Sequence, residues 1–332
     1  MRSCWKPWEM PMHLPRLAEQ LARSRVFAGK KAIDHVRQAF GAAFTAWDIA
    51  NGDDAAAIPD GAGSWLLLAA EGVLPELAQR QPELAGRSAV LANVNDIYAM
   101  GGRPLAMVDV VGAPEEDVLS ALCKGMRDNA LRFGVPIVGG HVQAMAREAT
   151  VAIAILGRAK RLVTSFDAAA GDALVLITNL DGIWLRESNY WNCTLPRHDG
   201  HLQGNLELVP QAAEDGLVQA GRDISMAGIA GTLVMLCECS RVGARLDLDA
   251  LQLPAGCERE QDLTSWLRAF FSYGFLFAVR PALVADFVRP FQERGLHAAA
   301  VGECVAGSAV MLQAGGETVV LHDWSRQSFT GF

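Results

Sequence analysis

A chain of 332 residues, 51% of them hydrophobic, with 29 Lys+Arg against 37 Asp+Glu, has enough apolar material for about two globular domains, which excludes a disordered polymer. The formal net charge of -8 supplies no basic stripe for a nucleic-acid backbone, so any polyanionic ligand must bring cations or use a local site. Seven scattered cysteines read as reduced thiols of a cytoplasmic protein, and no stretch reaches the ~18 continuous apolar residues of a membrane helix.

The chain opens with Trp5, Pro7, Trp8, Pro11 and Pro15, which interrupt any signal-peptide core and suggest a loosely held start. Residues 16–44 carry a helical rhythm that Gly29 breaks, and Arg23, Arg25, Lys30 and Lys31 make this the most basic local segment. The run SWLLLAA from Ser64 follows the turn formers Pro59, Asp60, Gly61 and Gly63 and predicts a buried strand. A helix over 87–100 should end at Gly101 and Gly102, since Pro104 forbids its continuation, and Leu105–Val111 reads as the next strand.

Pro114 and the acids Glu115, Glu116 and Asp117 suit a helix start; Val118, Leu119, Leu122, Met126 and Leu131 form its apolar stripe, and Gly134 stops it. Strands at 135–138 and 150–156 complete an α+β sandwich with helices on one face of a mixed sheet. A boundary falls near 158–171. Beyond it, strands are expected at 173–178, 244–248, 274–280 and 296–302, with helices at about 208–220, 224–239 and 281–294. Residues 187–205, rich in Gly, Pro, Asn, His and Asp, read as a long loop.

Four segments could carry chemistry. Gly52-Asp53-Asp54 is either a turn or a pair of carboxylates that wraps a hard cation, because oxygen donors are what Mg²⁺ requires. Asn93, Asn95 and Asp96 are polar residues in an otherwise apolar helix, where burial costs energy unless each finds a partner, so Asp96 is a candidate ligand. A strand at 135–138 runs into Gly139-Gly140-His141, where glycines would let a backbone approach a phosphate; a structural histidine is the alternative. Asp223 either caps the helix that follows it or faces an anion or its metal. There is no P-loop, GxGxxG, HExxH or CxxC. His198 and His201 read as a solvated loop, and Trp184, Tyr190 and Trp191 as a substrate lid or as packing.

In order, GDDAA, LLLAAEG, NDIYAMGGRP, GVPIVGGH and DISMAGIAG resemble the motifs of the AIR synthase-related (PurM-like) superfamily, over about residues 26–310. That superfamily includes aminoimidazole ribonucleotide synthetase, selenophosphate synthetase, thiamine-monophosphate kinase and the hydrogenase-maturation dehydratase, and NDIYAMGGRP with GGH looks most like selenophosphate synthetase. The resemblance implies a two-domain α/β fold: an extension at 1–25, an ATP-binding domain at 26–160 that pairs with a second copy into a dimeric β-barrel, and an α/β sandwich domain at 161–332. It also implies ATP and Mg²⁺, a small-molecule substrate, and Asp54, Asp96 and Asp223 as metal ligands, with Glu71 where relatives carry Asp. Gly52, Asp53, Asn93, Gly139 and Gly140 are the expected nucleotide contacts, and His141, Lys30 and Lys31 the expected catalytic side chains.

The departures matter as well. The catalytic Cys of selenophosphate synthetase has no counterpart before Gly29, and Thr330-Gly331-Phe332 holds no cysteine like that of the hydrogenase-maturation relative. The expectation is therefore an ATP-dependent phosphoryl-transfer or ligase-type enzyme of a divergent branch, or else a nucleotide-binding scaffold dimer that has lost chemistry.

Overall fold

The structure, a computed structural model, describes residues 13–44, 51–257 and 260–332. The prolines and tryptophans of residues 5–11, and Cys4, lie outside them. Where one rhythm was expected over 16–44, three helices form: α1 (Leu14–Ala22), α2 (Arg25–Gly29) and α3 (Ala32–Phe40). The extra break is at Ser24, whose hydroxyl accepts from the Phe27 N–H as the N-cap of α2.

The first domain contains β1 (Ala56–Pro59), β2 (Trp65–Gly72), α4 (Pro75–Arg80), α5 (Pro82–Ala99), β3 (Arg103–Gly112), α6 (Glu116–Phe133), β4 (Ile137–Val142) and β5 (Thr150–Ala159). Its sheet has the order β1-β2-β5-β3-β4, antiparallel except for the β3–β4 pair. Helix α6 follows the expected signals: Glu116 and Asp117 sit in its first turn, and Gly134 ends it in the left-handed conformation at φ 69°. Helices α5 and α6 cross so closely that a Cβ on Gly86 or Gly125 would strike the other helix's backbone. Together they cover one face of the sheet. The opposite face leaves Leu68, Val108, Val110 and Leu156 exposed.

The second domain contains β6 (Ala173–Thr178), β7 (Ile183–Leu185), β8 (Tyr190–Asn192), α7 (Asp199–Leu206), α8 (Leu208–Glu214), β9 (Ala220–Asp223), α9 (Gly228–Ser240), β10 (Gly243–Asp247), α10 (Glu260–Trp266), β11 (Phe270–Phe271), β12 (Gly274–Val279), α11 (Val284–Glu293), β13 (His297–Val305), β14 (Ala309–Ala314) and β15 (Glu317–Asp323). Seven strands form a sheet of order β15-β14-β10-β13-β6-β12-β9, and β11-β8-β7 make a small second one.

Several expectations need correction. Residues 187–205 are not one long loop: Tyr190–Asn192 pairs with β7 and β11, and α7 begins at Asp199. Two glycines weaken α7 locally, and contacts from the first domain support it: Arg132 donates to Asp199 and to the Thr194 carbonyl, and Gln203 donates to the Arg132 carbonyl. The helix expected to 220 stops at Glu214, and Ala220–Asp223 is a strand hidden from the sequence by its charged end. Trp184 and Trp191 are not a lid; they pack edge-on with each other and against Trp266. His198 bonds Asp181 and the Cys193 carbonyl.

Helices α1 and α2 lie on the second domain. Helix α1 packs on β14, β15 and α10, and Phe27 of α2 packs at a tilt against Phe329, so the segment that opens the described chain belongs spatially with the second sheet. The two domains are joined through Arg103, whose guanidinium bridges Glu207 at 2.5 Å and Glu214 at 2.6 Å. Among the described residues all six cysteines are free, and no helix is long and apolar enough to cross a membrane.

Candidate active site

Five segments distant in sequence bring their charges together. In β2, Leu67 and Ala69 are buried under α5, and the two-residue period of a strand puts Glu71 on that same face. In α5 the last turns are buried, which carries Asp96 inside, 6% exposed. The loop Gly52–Asp54 precedes β1, Arg222 and Asp223 end β9, and Lys30 comes from the turn between α2 and α3.

Hydrogen bonding separates the two neighbouring aspartates. Asp53 accepts from the Ser165 N–H at 2.9 Å and the Ser165 hydroxyl at 2.6 Å, which ties the loop to the segment that follows β5. Asp54 pairs its Oδ1 with Arg222 Nη2 at 2.6 Å, and its Oδ2 accepts from the Asp223 N–H at 3.0 Å. Arg222 also donates to the Gly52 carbonyl at 2.7 Å and the Ser165 hydroxyl at 2.9 Å. No motif pointed to Arg222; the available signal was a lone arginine directly before Asp223. Asp223 is not a helix cap either. It ends a strand, and α9 begins five residues later behind Ala227 at φ 83°.

Asp96 is the exposed nerve of the cluster: its Oδ2 is buried and has no hydrogen-bond partner. A buried acceptor left unmet costs about 1–3 kcal/mol, more when it is charged. Burial raises the proton affinity of Asp96 well above the ordinary carboxylate value, and the negative charges of Asp223, Glu71 and Asp54 push the same way. Asp223 is raised by burial and by Asp54, while Arg222 and Lys30 oppose the shift. Glu71, on the solvent-exposed rim of the cluster, is raised chiefly by the desolvation of its carboxyl. Asp53 is pushed up to about 6 by burial and the adjacent Asp54.

The two lysines part company. Lys30 donates to the Ser225 hydroxyl at 3.3 Å, and burial with the nearby Arg222 charge lowers its pKa. Lys31 is exposed, and its charge is felt by His322, so it does not join the cluster. Asn93 is fully buried and donates back to the Ala89 carbonyl at 2.8 Å within its own helix. The useful amide is Asn95, which reaches across to the Ser272 carbonyl of the second domain.

Gly139, Gly140 and His141 do not form a phosphate-binding turn. They lie inside β4, exposed at the sheet edge, and the missing Cβ of Gly140 makes room for the Asp109 side chain. Gly140 shares a row with Glu71 through Asp109 and Ile153, three strands away, or about 14 Å at the usual spacing. The structure therefore does not bring His141 to the acidic cluster.

A further neighbour was invisible in the sequence. Phe332 fills the space where a Gly52 side chain would be, and Glu238 holds the segment before it by accepting from the Phe329 and Thr330 N–H groups at 2.8 and 2.7 Å. Gly52 itself has φ 109°. Gly52→Ala should therefore both strain the backbone and displace the Phe332 ring, costing on the order of 1–3 kcal/mol. Denaturant unfolding would show this as a lower midpoint with an unchanged slope.

Among the described residues no three His, Cys, Asp or Glu side chains are gathered tightly enough to enclose a metal ion by themselves. Asp54, Glu71, Asp96 and Asp223 are thus electrostatic neighbours rather than a ready cage. The orphan oxygen of Asp96 nonetheless fits a hard cation that draws its remaining ligands from elsewhere.

Residues 52–159 match the model of the AIR synthase related protein N-terminal domain, and residues 169–314 that of the C-terminal domain. An uncharacterised protein of Synechocystis sp. is 45% identical over 282 residues, covering 85% of this chain and 86% of its own. The selenide, water dikinase of Aeromonas hydrophila is 30% identical over 60% of each chain. The solved structure of T. maritima PurL complexed with ATP superposes with a TM-score of 0.70 at 18% identity, covering 96% of this chain. This chain spans about half of that protein, 54% of its length.

Proposed function

Because the chain belongs to the AIR synthase-related family and carries its N- and C-terminal domains in order, we propose that it is an ATP- and Mg²⁺-dependent enzyme that transfers a phosphoryl group to, or otherwise activates, a small-molecule acceptor. The observation that carries this reading is the buried, partnerless Oδ2 of Asp96 beside Asp223 and Glu71, a cost that a bound cation would offset. Mg²⁺ commonly takes one or two carboxylates and completes its shell with substrate phosphates, which suits a site with too few clustered ligands to enclose an ion alone. The relatives support the nucleotide: one is named a dikinase, and PurL was solved with ATP.

In this reading Asp96 and Asp223 hold the metal, with Glu71 beside them. When bound, Mg²⁺ would neutralise charge on the phosphates. Lys30 stands next to the same carboxylates, held by Ser225, and its ammonium can pair with a phosphate oxygen. Arg103 with Glu207 and Glu214, and Asn95 with Ser272, keep the two domains in register around the site. Catalysis then rests on positioning and charge neutralisation, without a covalent intermediate on the protein.

The same reading includes a homodimer. Leu68, Val108, Val110 and Leu156 make an apolar sheet face that neither α5 nor α6 covers, and a second copy of that face would bury it. Sedimentation should give twice the chain mass, and Val108→Glu should give the chain mass.

Full-length protein with ATP and a panel of acceptors, selenide and thiamine monophosphate among them, should release ADP or AMP with Mg²⁺ and none with EDTA. Equal release in EDTA overturns the metal assignment. Tight ATP binding with no product from any acceptor would instead identify a nucleotide-binding scaffold.

A further inference from the structure

The acidic cluster contains its own cation. Arg222 is 7% exposed, and three partners hold it: Asp54 at 2.6 Å, the Gly52 carbonyl at 2.7 Å and the Ser165 hydroxyl at 2.9 Å. A guanidinium stays charged at any physiological pH, so this charge cannot be withdrawn by titration. Nor can the side chain swing away without leaving buried acceptors unmet. The other oxygen of Asp54 is engaged as well, by the Asp223 N–H at 3.0 Å.

We infer that Arg222 is a positioning residue that takes Asp54 out of the metal site and uses it to hold Asp223 in place. The inference rests on the nucleotide–metal reading above and corrects the ligand set that the family motifs imply. The cluster divides into two halves. Asp53 and Asp54 serve Ser165 and Arg222, which leaves Asp96, with its partnerless Oδ2, and its neighbours Asp223 and Glu71 to face a cation. A divalent ion sharing Asp54 would sit against a fixed guanidinium, and that repulsion is strong where water is excluded. Arg222 reaches the metal only indirectly, along Asp54 to the backbone of Asp223, and so sets where the Asp223 carboxylate points.

Mn²⁺ binding to the full chain in the presence of AMPPCP, read by electron paramagnetic resonance, tests this without turnover. Asp96→Asn should weaken Mn²⁺ by about a thousandfold or more, beyond the roughly 10–100-fold that loss of an outer partner costs. Asp54→Asn alone would strand a buried cation and can fail to fold, so the informative variant is Asp54→Asn with Arg222→Gln, which removes both charges together. Its Mn²⁺ affinity should fall by about tenfold or less, because neither side chain touches the ion and the amide at position 54 keeps an oxygen that can accept from the Asp223 N–H. Arg222→Gln alone should release Asp54 and add one Mn²⁺ per chain. A double variant that loses Mn²⁺ as severely as Asp96→Asn overturns the assignment. A parent protein that binds no Mn²⁺ with AMPPCP overturns the nucleotide–metal reading itself, and the two failures are separately recognisable.

Discussion

Asp96→Asn should abolish nucleotide turnover and at the same time raise the melting temperature of the nucleotide-free protein. The opposite signs follow from one fact: the Oδ2 of Asp96 is buried with no partner, among the like charges of Asp223, Glu71 and Asp54. Without a cation, that carboxylate costs energy to bury and to hold near its neighbours. An asparagine has the same shape and no charge, and its amide hydrogens can donate to the surrounding carboxylates. A relief of about 1 kcal/mol in a chain of this size corresponds to a rise of about 1–2 °C. Turnover, by contrast, should fall by about a hundredfold to a thousandfold, since a preorganised charge facing the reacting phosphates is lost. Calorimetry and product release on the same preparation separate the two effects. A lower melting temperature together with lost turnover would mean that Asp96 is a structural aspartate whose partner lies elsewhere.

The second large effect is on the pH dependence of the cation-free protein. Asp53, pushed up to about 6 from an ordinary 3.8, and Asp96, Asp223 and Glu71, all raised, bind protons more tightly when folded than when unfolded. The stability they contribute is fully present below the ordinary carboxylate range and is lost as pH rises through their raised folded values. Surface carboxylates act in the opposite sense. Asp128, pulled down to about 2 through Arg127, and Asp181, lowered by Arg197, lose their contribution only as pH falls into the acid range.

From about pH 4 up through the raised folded values, about 6 for Asp53, the cluster therefore sets the slope, and the melting temperature should fall on the order of 5 °C across that window. Saturating Mg²⁺ with AMPPCP should remove most of the fall, because a ligand at a hundred times its Kd stabilises by about 2.7 kcal/mol. The slope should be shallower in Asp96→Asn. A flat profile in the parent protein would show that the carboxylates are already neutralised within the fold, by Arg222 and Lys30.

Local rules were sufficient where a signal and its effect lie within a turn or two. Glu116, Asp117 and Gly134 bracket α6 because helix ends are satisfied by residues a few positions away. The double glycine after α5 ends it by the same logic, and the period of β2 places Glu71 with Leu67 and Ala69. The motif order pointed to the family, and Asp96 stood out because a carboxylate in an apolar helix needs a reason.

The roles within the site were decided at longer range. Asp54 and Asp223 are 169 residues apart, yet a hydrogen bond from the Asp223 N–H engages one oxygen of Asp54. Lys30 and Lys31 are equivalent in the sequence; the turn after α2 sends one to Ser225 and the other outward. Gly139, Gly140 and His141 spell a phosphate-binding turn, but pairing with β3 extends the strand through them. Arg222 and Phe332 carried no motif at all.

The sequence by itself therefore determined the family, the main helices and strands of both domains, and the acidity of the candidate site. Tertiary structure alone decided which carboxylates are engaged, as Asp54 is by Arg222, and which is left with a partnerless oxygen, as Asp96 is. Secondary structure follows from neighbours a few residues away, whereas a charge is set by burial and by whatever charges the fold brings beside it.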